Sequence, residues 1–214
     1  MIRLALLAQR EMRRPSHTGE GLCAFAAFVL RAVHNRNMPA EQKFARPEFE
    51  RRFLLAHLPD DVPITRVRHI VDRYIDSTTL RLRRQRDDDG SLRFKLTQKL
   101  PAGADGPLQG LITTIYLTEE EYDVLAKLPA HTLAKARLSL PPFGIDVFEG
   151  ELKGLVMAEA EFASAEDAAA LHLPKFLIRE VTDDVRFTGG QLSRTTQRQL
   201  EERLTEVGIH LDVE

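Results

Sequence analysis

From Lys43 onward the chain alternates apolar and polar residues with a spacing of two, the period of strands that bury one face. PEFERRFLL (Pro47 to Leu55) is the first such run, and ITRVRHIVDRYID (Ile64 to Asp76) is long enough for one bent strand or two short ones. LRLRRQR and SLRFKLTQKL flank Asp87, Asp88, Asp89 and Gly90; Asp-Gly between alternating runs predicts a hairpin, because both central residues tolerate positive φ. LITTIYL, KARLSL, FGIDVFEG, GLVMAEAEFAS and FLIREVTDD supply the remaining strand patterns. Helical spacing appears in TEEEYDVLAKL, where Thr118 and Glu121 form a capping box, and in a short segment from Ser164 to Leu171. QLSRTTQRQLEERLTEVG predicts one last helix. Strands outnumber helices and no βαβ alternation recurs, so the pattern predicts an α+β fold with a largely antiparallel sheet.

The polar faces of these strands are ionic and sorted by sign. Glu48, Glu50 and Arg52 share one face of the first run. Arg81 and Arg83 oppose Leu80 and Leu82; Arg93, Lys95, Thr97 and Lys99 oppose Leu92, Phe94 and Leu96. Lys135 and Arg137 share a face, as do Glu159 and Glu161. A sheet with one solvated face would show assorted polar residues there. Like charges two apart on a strand lie about 7 Å from each other and repel by roughly 2 kcal/mol at an effective dielectric near 20. Water removes most of that cost, whereas an enclosed space demands counter-ions: an anion for the bases and a cation for the acids. From the residues alone both arrangements stay open, a solvated face and a charged interior holding a polyphosphate with its metal.

Bulk properties narrow the picture. The chain has 214 residues, 43% of them hydrophobic and 29% charged, which suits one soluble globular domain with a tail. Thirty basic and thirty-two acidic residues leave a formal net charge of −2, so no overall field favours nucleic acid or an anionic membrane. Cys23 stands alone, which excludes an internal disulfide and any Cys-based metal knuckle and fits a reducing cytoplasm. The apolar run GLCAFAAFVL is too short to span a bilayer, which takes roughly 20 residues. Residues 1–42 read as a leader, with residues 43–214 as the domain, and Met38 is an alternative beginning. The seven histidines form no HExxH, and neither a P-loop nor a GxSxG elbow occurs. The acids of DDDG lack the later Glu of a calcium loop and read as a turn.

One resemblance covers most of residues 46–187. PEFERRFLL is similar to the ExExK opening of the CYTH superfamily, the triphosphate tunnel metalloenzymes. LRLRR, a K-x-T-x-K strand, K-x-R ahead of DVF, an E-x-E strand and EVTDD-x-RF follow in the family's order. The resemblance implies an antiparallel eight-stranded β-barrel, a tunnel with helices packed outside. It implies metal-dependent hydrolysis of a triphosphate, inorganic triphosphate being the simplest substrate, with Glu48, Glu50 and Arg52 as catalytic residues. Phosphate would be gripped by Arg81, Arg83, Lys95, Lys135, Arg137 and Arg186. Mg2+ or Mn2+ would be held by Glu48, Glu50, Asp146, Glu159 and Glu161. The expected partner is a small anionic triphosphate, with no nucleic acid and no membrane; a homodimer is allowed, and the expected compartment is the cytoplasm. Two alternatives stand beside this: a class IV adenylate cyclase, with Phe143, Phe148 and Tyr116 available to stack a base, and a non-catalytic polyphosphate or nucleotide-binding domain. The chain departs from the family pattern in three places. Arg52 replaces a lysine, Thr113 and Thr114 stand where many members carry a further E-x-E, and Gly144 stands where some carry an acid.

Overall fold

The computed structural model describes residues 44–60, 62–103 and 105–210, so the leader expected over residues 1–42 lies outside the described residues. The strands are β1 (Arg46–Leu55), β2 (Val67–Ile75), β3 (Leu80–Asp87), β4 (Leu92–Pro101), β5 (Leu108–Leu117), β6 (Ala130–Leu140), β7 (Phe143–Phe148), β8 (Val156–Phe162) and the two-residue β9 (Arg179–Glu180). The helices are α1 (Glu119–Leu125), α2 (Ala165–Ala169), α3 (Gly189–Leu192) and α4 (Gln197–Glu206). Strand order is β5-β4-β3-β2-β6-β7-β8-β1, and β5 pairs back onto β1, so eight antiparallel strands close a barrel while β9 extends beside β1. Closure removes the free edges that an open sheet would expose.

Glycine permits the closure. Gly110 pairs with Pro101 of β4 on one side and with Glu48 of β1 on the other, at a φ of 142°. A Cβ there would come within 2.0 Å of the Leu100 carbonyl oxygen. Next to it the β1–β5 register shifts between Glu48 and Phe49. The hairpin expected at DDDG joins β3 to β4, with Gly90 N–H donating to Asp87 O.

The apolar faces are covered from outside. Phe53, Leu138, Phe143, Ile145 and Ala158 form one outer cluster, packed against Leu171, Phe176 and Leu177 after α2. Leu82, Phe94 and Tyr122 form another, where α1, started by the expected Thr118–Glu121 capping box, lies over β3–β5. Burying each such side chain contributes about 1.5–3 kcal/mol. A third cluster joins Leu54, Leu133, Phe148 and Met157 to Phe187, Leu192, Leu200 and Leu204 of the C-terminal segment.

Two expectations change at that end. The last strand is only Arg179–Glu180, because the chain leaves β1 after Val181 N–H bonds Arg52 O. The single last helix is two, since Thr196 starts α4 with its own capping box to Gln199 and interrupts the helix at Thr195.

Candidate active site

Side chains alternate across a strand, so residues two apart share a face. Along β1 one face carries Glu48, Glu50, Arg52 and then Leu54; along β8 it carries Glu161, Glu159 and Met157; along β6, Arg137, Lys135 and Leu133. The ionic members of these rows line a cavity of about 500 Å³. The apolar members belong to the third core cluster, and Leu133, Phe148, Phe187 and Leu192 border the cavity as an apolar end. The barrel interior is therefore charged over part of its length and packed solid beyond it.

Of the residues singled out in the sequence, Glu48, Glu50, Arg52, Arg81, Arg83, Lys95, Lys135, Arg137, Glu159 and Glu161 all line this cavity. Asp146 does not line it. It is 0% exposed, and its oxygens accept from Lys135 Nζ at 2.5 Å and from Arg137 Nε and Nη2 at 2.6 and 2.5 Å. It holds the two bases in place instead of opening onto the cavity. Arg186 also stands elsewhere: in the turn Val185–Phe187 it bonds Asp184 and Glu206 and is absent from the cavity lining. Phe49, of opposite parity to Glu48 and Glu50, follows the register shift and also lines the cavity.

Several contributors escaped the sequence reading. Asp72 of β2 is 1% exposed and binds Arg83 in a two-pronged fork, both hydrogen bonds 2.7 Å long. Burial alone would raise its pKa, but Arg83 and Arg81 outweigh burial and hold it well below the usual carboxylate range. A single acid inside RHIVDRYID gives no sign of this partnership in the sequence. Lys99, noted only as part of an ionic row, donates to both oxygens of Glu48 at 2.8 and 2.9 Å. Tyr74 lines the cavity beside Arg81, and burial followed by the charge of Asp72 pushes its hydroxyl up to about 12.

The electrostatics separate the acids. Glu159 is held well below the usual range: burial opposes this, and Arg137 followed by Lys135 overcomes it. Glu50, 5% exposed, is pushed up to about 7 by burial first and then by Glu159. Arg52 lies 3.5 Å from Glu50 but also donates to the Thr182 carbonyl at 2.5 Å. Glu50 stands opposite Glu161 and Arg52 opposite Glu159 in the β1–β8 register. Glu161 is exposed, and the acids that act on buried Glu50 are Glu159 and Glu48, opposed by Lys99 and Arg52. Among the bases, Lys95 sits 5.3 Å from the Tyr116 ring centre, and burial followed by Arg83 lowers its pKa.

The acids lining the cavity, Glu48, Glu50, Glu159 and Glu161, offer oxygen donors only, which fits a hard divalent cation. Glu48 is engaged by Lys99 and Glu159 by Arg137, and among the described residues no three acids, histidines or cysteines are grouped closely enough to ring an ion. The carboxylates thus share one cavity but face their bases. Of the aromatics considered for stacking a base, Phe143 and Phe148 are core residues, while Tyr116 is 71% exposed at the cavity. Among the described residues no helix is long and apolar enough to cross a membrane.

No family model matches the sequence. A curated relative named inorganic triphosphatase, from Nitrosomonas europaea, is 31% identical over 156 residues, covering 68% of this chain and 96% of that protein. A solved structure of an inorganic triphosphatase is 25% identical with a TM-score of 0.46, covering 69% of this chain and 95% of that one. A Pyrococcus horikoshii protein is 18% identical with a TM-score of 0.43, covering 77% of this chain and 92% of that one. With the closed eight-stranded barrel and the 31% identity to that relative, the chain belongs to the CYTH superfamily of triphosphate tunnel proteins.

Proposed function

We propose that this protein hydrolyses triphosphates with the help of a divalent metal ion, Mg2+ or Mn2+, and that inorganic triphosphate is its substrate. The observation that carries the reading is the meeting of bases from β3, β4 and β6 with acids from β1 and β8 around one cavity. The inorganic triphosphatase relative supports the same reaction.

Arg81, Arg83, Lys95, Lys135 and Arg137 bind the anionic chain and keep it stretched between β3–β4 and β6. Their guanidinium and ammonium groups offset charge as it grows on the bridging oxygen of the leaving phosphate. Glu48, Glu50, Glu159 and Glu161 would hold the metal, which when bound supplies a Lewis acid for the phosphoryl oxygens. Glu50, raised to about 7 by burial and Glu159 in the metal-free site, gives up its proton when the ion binds. The apolar end formed by Leu133, Phe148, Phe187 and Leu192 excludes bulk water from one side.

A phosphate-release assay over inorganic triphosphate, ATP, thiamine triphosphate and pyrophosphate, each with Mg2+, Mn2+ or chelator, tests this. Metal-dependent release, greatest with inorganic triphosphate, is expected. Release from none of them with either metal would rule out the hydrolase.

A further inference from the structure

Each pair of bases on β3 and β6 is backed by one buried aspartate on a neighbouring strand, in register with the second base of the pair: Asp72 opposite Arg83 and Asp146 opposite Arg137. Asp72 does not line the cavity, so it meets the anion only through the arginines. A guanidinium keeps its proton at any ordinary pH, so Arg83 does not need Asp72 in order to be charged. The carboxylate has two other effects. By engaging Nε and Nη2 of Arg83 it fixes the plane of the fork and leaves Nη1 for a ligand. It also cancels part of the positive charge of Arg83 and of Arg81, whose Nε lies 3.8 Å from Oδ1.

Resting on the triphosphatase reading, we infer that Asp72 is a positioning residue that limits how tightly the cradle holds its anion, so that product phosphate leaves. Lys95 has no carboxylate within ion-pair distance among the described residues; it stands opposite Arg83 in the β3–β4 register, and Arg83, Arg93 and Arg81 are the cations that act on it most. Without Asp72, three cations facing one cavity would carry nearly their full charge. Binding that strengthens for substrate and product alike lowers KM without speeding the reaction, and a retained product slows turnover.

The test compares the full-length wild type with Asp72→Asn. Inorganic phosphate affinity is measured by calorimetry, and kcat and KM with inorganic triphosphate. Phosphate binding about tenfold tighter, with KM and kcat both reduced, is expected; tenfold corresponds to about 1.4 kcal/mol. A folded Asp72→Asn variant that binds phosphate no better than wild type overturns the inference, since a purely structural role would loosen the cradle and raise KM. If the lone substitution prevents folding, Arg83→Gln is compared with Arg83→Gln/Asp72→Asn, in which Arg81 is the base that loses the offsetting carboxylate. Tighter phosphate binding by the double variant is expected through Arg81, and equal binding overturns the inference. Failure of the wild type to bind or hydrolyse triphosphate would sink the functional reading instead, so the two failures are told apart.

Discussion

Glu50 and Glu161 face each other across the β1–β8 ladder, and Glu50 is at the same time 5% exposed and within reach of the field of Glu159. Burial and the charge of Glu159 disfavour the Glu50 carboxylate in the empty fold, and a bound cation would offset both.

The first prediction follows from its proton. Glu50 is raised from 4.5 to about 7, so between those values the folded protein binds more protons than the unfolded chain. Stability therefore falls as pH rises through that window. Glu50→Gln should flatten this slope and make the metal-free protein more stable than wild type above pH 7. Thermal melts at several pH values check it. For the same reason metal affinity should rise with pH up to about 7 in the wild type, because the ion displaces that proton.

Glu159→Gln should lower metal-dependent phosphate release by at least about 100-fold, since it removes a charged group from the reacting centre. Arg137 keeps Asp146 as a partner, so the fold should survive. Steady-state kinetics beside a circular dichroism spectrum tests both halves.

Asp146 predicts the opposite balance. Asp146→Ala strips Lys135 and Arg137 of the carboxylate they share at 0% exposure. Breaking a buried ion pair on one side costs about 3–5 kcal/mol. Denaturant unfolding should show that loss in chelator and in Mg2+ alike.

Gly189→Ala should damage the apolar end of the cavity. A Cβ at Gly189 would lie 1.9 Å from the Tyr74 hydroxyl oxygen, and Tyr74 is itself seated beside Arg81. Overpacking of this kind costs about 1–3 kcal/mol. A drop in melting temperature with weaker triphosphate binding is the expected outcome, and Gly190, whose nearest neighbour would be 3.7 Å away, is the control.

Much of this architecture is legible in the sequence because strand alternation reports faces directly. Glu48, Glu50, Arg83, Lys95 and Glu161 fall on the cavity side for that reason alone. Alternation does not report depth. Leu54, Leu133 and Met157 share the inward parity of Arg52, Lys135 and Glu159, yet they fill the solid end of the barrel, because the C-terminal segment packs into it. Nor does alternation tell an acid that faces the cavity from one that sits behind a base, which is why Asp146 reads as a metal ligand and Asp72 is passed over. Arg186 misleads for another reason: it lies outside the strands, in a turn whose direction is set by Asp184 accepting its backbone N–H.

The most direct test of the central claim is a calorimetric titration of inorganic triphosphate into the protein, with Mg2+ and with chelator, for wild type and for Lys95→Ala. The account predicts one site per chain, tighter binding with Mg2+, and a loss of about tenfold or more in the variant, the worth of one charge-assisted contact. Equal affinity in wild type and variant, unaffected by metal, would contradict it.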